Sequence, residues 1–139
     1  MSWIKERLFG FMAFEIIAIN HVNITVPKAA EEPTKHFYKN ILGLEEIPKP
    51  DAQKKRGGAW FKQGALELHL SIDDAAADNS TSRRHVCYLV ADIAKAEQFM
   101  RDSGVEVFPD NQPVKGWLRF YVRDPGGNRL EIAQIDRES

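Results

Sequence analysis

Cysteine is nearly absent: Cys87 is the single one among 139 residues. An intrachain disulfide is impossible, which excludes a secreted, disulfide-stapled scaffold. A dominant charge is lacking too. Lys plus Arg number 19 and Asp plus Glu 20, for a formal net charge of −1. The basic excess of a generic nucleic-acid binder is missing. No apolar run approaches the ~20 residues that cross a bilayer. Residues 1–14 mix Lys5 and Arg7 with Glu6 and offer no long apolar core or small-residue cleavage site, so they do not read as a signal peptide. The expected location is the cytoplasm, with neither nucleic acid nor membrane as partner.

What is present is ordinary globular composition, 43% hydrophobic and 28% charged, in a chain of one domain's length. Residues 1–14 form an N-terminal extension. Its aromatics Trp3, Phe9, Phe11 and Phe14 fit a short amphipathic helix on the body or on a partner subunit; alternatively Met12 is the natural start.

From residue 15 the pattern is strand, helix and three strands, twice. Residues 15–26 are rich in β-branched side chains and read as a strand closed by Pro27. A helix is predicted over about 30–42, with Gly43 as its left-handed C-terminal residue. Short strands follow at 44–47, 59–62 and 65–72, the last two joined at Gln63-Gly64. A small polar stretch, 73–82, separates the halves. The second half starts with a strand at 84–91. Asp92 then caps a helix whose buried stripe is Ile93, Ala96, Phe99 and Met100. Strands at 105–108, 117–122 and 129–135 complete it. His-Val pairs at 21 and 85 and Leu-Glu pairs at 66 and 130 share one offset of 64 residues. The single domain, 15–135, is therefore read as two βαβββ modules, 15–72 and 84–135.

Strand alternation locates the chemistry. Val22, Ile24 and Val26 share one face, and His21, Asn23 and Thr25 the other. Leu66, Leu68 and Leu70 oppose Glu67, His69 and Ser71. Val86, Tyr88 and Val90 oppose His85, Cys87 and Leu89, and Leu130 and Ile132 oppose Glu131 and Ala133. Each apolar face has a helix to cover it. Each opposite face carries a histidine or glutamate, which a curled sheet would turn inward. Three imidazoles and one or two carboxylates in such a cup suit a divalent first-row metal. One histidine on one strand is usually a hydrogen-bonded or exposed residue; the shared parity across four strands is what argues for a site. His36, on the first helix, reads as a surface or packing residue.

The double module, Ile19-Asn20-His21-Val22, Phe37-Tyr38 followed by Leu42-Gly43-Leu44, and Asp124-Pro125-Gly126-Gly127-Asn128-Arg129-Leu130-Glu131 resemble the vicinal oxygen chelate superfamily. That group includes glyoxalase I, extradiol dioxygenases, fosfomycin-resistance enzymes and metal-free bleomycin-binding proteins. The resemblance covers about 15–135. It implies an α+β fold: two βαβββ modules forming a curled, cup-shaped mixed sheet with helices outside. It implies one divalent ion per site (Zn, Ni, Mn or Fe) held by His21, His85 and Glu131. In the fourth strand the ligand position falls on His69, with Glu67 as the alternative. Glyoxalase I usually has a glutamate there for proton shuttling, so a histidine puts that particular reaction in doubt.

The implied function is a metal-dependent isomerase, lyase or dioxygenase that chelates a small oxygenated substrate through two oxygens, with Glu131 as base. The alternative is a metal-free small-molecule-binding protein of the bleomycin-resistance type. Asn23, Trp60, Glu67, Cys87, Trp117, Arg119 and Tyr121 are candidate substrate contacts, although Trp60 and Trp117 taken singly read as core. Arg83-Arg84 and Lys54-Lys55-Arg56 could attract an anionic substrate, but read more readily as solvated loop charge. A homodimer is expected, because a half-open cup leaves sheet edges uncovered.

Overall fold

The computed structural model describes residues 13–75 and 78–136. The N-terminal aromatics lie outside them, Phe14 excepted. Eight strands form two four-stranded sheets. The first module contains β1 (Val22–Val26), β2 (Glu45–Ile47), β3 (Ala59–Gln63) and β4 (Leu66–Ile72), ordered β1-β4-β3-β2. The second contains β5 (His85–Leu89), β6 (Phe108–Pro109), β7 (Trp117–Arg123) and β8 (Arg129–Ile135), ordered β5-β8-β7-β6. In each module the first strand runs parallel to the last and the others are antiparallel. The fold is α+β, built from two βαβββ modules as expected. Hydrogen bonding divides the eight strands into one sheet per module.

Helix α1 (Glu31–His36) continues into a π-helical turn, Phe37–Ile41, and Gly43 follows at φ 77°. Helix α2 (Ile93–Asp102) starts at Asp92, whose carboxylate accepts from the Lys95 N–H at 3.1 Å. Helix α2 covers its sheet with Ile93, Ala96 and Met100. Phe99, expected in that stripe, is 52% exposed, because it projects about 100° around the helix from Met100. Two strands start several residues later than the sequence suggests. Ile16, Ile17 and Ile19 are 77%, 92% and 81% exposed, and β1 begins only at Val22, where pairing with Leu68 of β4 starts. Val105 gives its N–H to the Met100 carbonyl, closing α2, so pairing with β7 starts at Phe108.

The apolar faces of both sheets meet the helices in one core. Val26, Phe61, Leu68 and Leu70 contribute from the first module, Phe120, Val122, Leu130 and Ile132 from the second, and Tyr38 and Met100 from the helices. Asp124 ties the modules together beneath it. It accepts from the Tyr38 hydroxyl (2.7 Å), the Gly126 and Asn128 N–H groups (both 2.9 Å) and the Asn128 amide (3.0 Å). Asn128 also donates to the Thr25 carbonyl of β1 at 3.1 Å. The Asp-Pro-Gly-Gly-Asn turn therefore holds β8 in place relative to β1.

Glu31 does comparable work in the first module. Buried at 7% exposure, it accepts from the Gly58 N–H at 2.6 Å and pairs with Lys28 at 3.2 Å. Gly58 sits at φ 77°, where a Cβ would overlap the Leu70 carbonyl. This contact fixes the start of β3 and with it Trp60. The Gly58 N–H, foremost, holds the Glu31 carboxyl below its ordinary pKa. A depressed folded-state pKa contributes stability above the unfolded value, and that stability is lost as pH falls through the folded one. The native protein should therefore lose more stability than Glu31→Gln on acidification below about pH 5. Urea midpoints measured against pH check this; parallel acid slopes would contradict it.

Candidate functional site

The polar strand faces gather into two clusters, one on each sheet. On the first, the His69 ring lies between Trp60 (centroids 3.8 Å apart, 2° between planes) and His21 (3.9 Å, 19°). Register places Trp60 and Asn23 directly beside His69 on the neighbouring strands. His69 Nε2 donates to Glu67 Oε1 at 2.9 Å, so the two candidates for the fourth-strand ligand are bonded to each other. His69 is buried and His21, just ahead of β1, is exposed. His21 Nδ1 donates to Asn20 Oδ1 at 2.8 Å, which leaves its Nε2 lone pair free. Asn23 accepts from the Ser71 hydroxyl at 2.8 Å.

On the second sheet the centre is Glu131, a charged side chain at 3% exposure. Its Oε1 lies 3.1 Å from His85 Nε2. His85 Nδ1 lies 2.9 Å from the Arg83 carbonyl, which can only accept, so Nδ1 carries the proton. Nε2 and Glu131 Oε1 are thus at hydrogen-bond distance, and either a second ring proton or a cation can join them. A histidine whose far nitrogen is held by a carbonyl is the arrangement in which imidazole ligates metals. Cys87 Sγ donates to Glu131 Oε2 at 3.3 Å. Burial first, then this contact, pushes the thiol up to about 11, so Cys87 is a neutral donor and not a thiolate nucleophile.

Arg119 Nη1 stands 3.8 Å from Glu131 Oε2, and its Nε is held by Asp110 at 2.8 Å. Asp110 was not legible as its partner, being nine residues away on the loop between β6 and β7. Arg119 approaches the rings of Trp117 (5.6 Å) and Tyr121 (5.8 Å). Burial, and then the Glu131 charge, raise the Tyr121 pKa. Trp117, at 38% exposure, and half-buried Trp60 are both outside the core, against the reading of each taken singly. Arg129 escaped the sequence reading although parity signals it: two residues before Glu131 on β8, it shares that face, and its guanidinium sits 4.0 Å over Tyr121. His36 lines a separate groove between α1 and the turn after α2.

Sequence reasoning expected His21, His69, His85 and Glu131 to converge. The structure brings them together as two pairs, one per sheet. Among the described residues no group of three or more His, Cys, Asp or Glu side chains is placed to hold one ion. The chemistry of the donors still fits a first-row divalent metal, with imidazole nitrogen on both sides and one carboxylate. Each half is simply short of ligands.

Paired βαβββ modules with this split set of histidines and carboxylates define a class, and comparison with known proteins gives it a name. The chain belongs to the Glyoxalase/Bleomycin resistance protein/Dioxygenase superfamily, whose sequence signature matches residues 18–132. A glyoxalase-family structure from Bacillus anthracis superimposes with a TM-score of 0.80 at 38% identity, covering 90% of this chain and 100% of that one. The fosfomycin-resistance protein FosX of Listeria monocytogenes, in a complex with Mn(II), shares the fold with a TM-score of 0.71 at 18% identity, over 88% of this chain and 93% of that one. MhqA of Bacillus subtilis, named as a ring-cleaving dioxygenase, is 28% identical over 129 residues. The match covers 86% of this chain and 40% of MhqA, so the chain spans about two fifths of that relative's length. No helix among the described residues is long and apolar enough to cross a membrane.

Proposed function

We propose that this protein is a metal-dependent enzyme that acts as a homodimer on a small oxygenated substrate. Its ion would be held by His21 from one copy and by His85 and Glu131 from the second, with His69 beside them. The observation that carries this reading is the His85–Glu131 pair: an imidazole nitrogen and a carboxylate oxygen 3.1 Å apart, with the ring's other nitrogen held by the Arg83 carbonyl. Such a pair can hold a divalent cation. The dimer follows from the split set. Among the described residues β1 and β5 each end their sheet, and the polar side of each sheet carries half the ligands. Exposed Leu89 on β5 and the exposed isoleucines ahead of β1 are apolar surface that a second copy would cover.

When bound, the ion supplies Lewis acidity toward two adjacent substrate oxygens. The chain's own residues do the rest. Glu131, buried between Cys87 and Arg119, is the carboxylate placed to take a proton. The Trp60–His69–His21 stack gives a flat wall, and Arg119, locked by Asp110, keeps a positive charge beside the carboxylate. A two-histidine, one-carboxylate set suits Fe(II) or Mn(II). Both relatives fit this reading, FosX through Mn(II) and MhqA through its name. The reaction is of the isomerase, lyase or dioxygenase type.

The aromatic stack also favours a second reading, a metal-free protein that sequesters a flat ligand. Titration with Mn(II), followed by electron paramagnetic resonance, separates the two. The proposal predicts saturation near one ion per chain, roughly one per three- or four-ligand site. Failure of Mn(II), Fe(II), Ni(II) and Zn(II) alike to bind more tightly than about millimolar would overturn it in favour of the second reading.

A further inference from the structure

A cavity of about 820 Å³ opens beside His85 and Glu131, between β7, β8 and the loop after β6. Four arginines line it, Arg83, Arg119, Arg123 and Arg129, against two carboxylates, Asp110 and Glu131. This local positive excess stands out in a chain of net charge −1. Two of the arginines are committed to structure. Arg119 binds Asp110 and the Gln112 carbonyl, and Arg123 donates to the carbonyls of Asn79, Ser82 and Gly127. The other two are free. Arg129 has no carboxylate or carbonyl partner among the described residues; the face of its guanidinium rests on Tyr121, 4.0 Å from the ring centroid. That stacking orients the planar group and leaves its N–H edge available to an acceptor. Arg83, at the exposed rim, likewise has no acceptor for its guanidinium among the described residues, while its carbonyl holds His85.

Two unpaired guanidinium groups, one pre-oriented, in a cavity that also contains the candidate metal-binding carboxylate, make an oxyanion subsite. We propose that Arg129, assisted by Arg83, binds a carboxylate or phosphate group of the substrate. The substrate class is then an anionic small molecule, whose oxyanion is gripped at Arg129 while its chelating oxygens face His85 and Glu131. This rests on the cavity being the substrate site described above, but the arginine subsite itself needs no metal.

The test uses the full chain without metal and three small probes: acetate, inorganic phosphate, and acetamide as the neutral isostere of acetate. Binding is followed by NMR of the arginine Nε–Hε signals and by titration calorimetry. Acetate or phosphate should shift the Arg129 signal saturably and acetamide should not. Arg129→Met, which keeps a long apolar side chain over Tyr121, should weaken binding about tenfold, the loss expected for one charge-assisted contact. Arg129→Lys should restore part of it. Absence of saturable binding by either anion, equal binding of acetamide, or unchanged affinity in the Arg129→Met/Arg83→Gln double variant would overturn the proposal. Mn(II) titration of the same variants keeps the two readings apart. Mn(II) uptake should survive in Arg129→Met. A native chain that binds no metal yet loses anion affinity on Arg129→Met would leave the subsite standing and remove the metal.

Discussion

Glu131→Gln should lower Mn(II) affinity by at least about 100-fold, since even partners one shell removed from a metal cost 10–100-fold when lost. The carboxylate is the one negative charge in the proposed set of His21, His85 and Glu131, and the amide replaces it with a neutral group that presents a donor to His85 or to the ion. Glutamine has the same shape, and Glu131 sits at 3% exposure between β5 and β7, so the fold should persist. Any reaction that uses this carboxylate as base should be abolished. Calorimetric titration with Mn(II) measures the first effect. An unchanged dissociation constant would show that the ion, if bound, lies elsewhere.

Asp124→Ala should cost about 3 kcal/mol of stability, within the range for breaking a buried charged network. Four donors converge on this carboxylate, and all lose their acceptor together. Burial raises the Asp124 pKa more than its hydrogen bonds lower it, so removing the charge recovers some desolvation; the cost of the variant comes from the buried donors left without an acceptor. Tyr38→Phe removes one donor of the four and should cost about 1 kcal/mol. Because Asn128 bridges from Asp124 to the Thr25 carbonyl, the alanine variant also loosens β8 against β1. Urea unfolding of both variants provides the comparison. Equal losses would mean that the other three donors find water at no cost.

The repeat and its α+β architecture were legible because local signals agreed. Alternation in β4 and β8, the Asp92 cap, and glycines at 43 and 104 all pointed to one module written twice. That Glu131 shares a face with His85 was legible as well, from parity within β5 and β8. What parity cannot tell is which polar faces confront one another. That depends on how two separate sheets, and two chains, are arranged, and no residue near His21 encodes the position of Glu131. The Ile16–Ile19 segment has strand composition but pairs with no strand among the described residues, so tertiary context overrides propensity there. That Arg83 lines a cavity was not legible, because the other walls come from β7 and β8, far away in sequence.

The central claim is that one site is made from two copies of the chain. Mixing two inactive variants tests it most directly. In a heterodimer of His21→Ala with Glu131→Gln, a shared site leaves one position with both lesions and the other with every ligand intact. After an equal mixture is dissociated and reassociated, about a quarter of all sites should bind Mn(II) with native affinity, since random pairing makes half the dimers mixed. Neither variant alone should do so. Mn(II) binding that stays at the level of the separate variants, with heterodimers shown to have formed, would place the site within one chain and contradict the account.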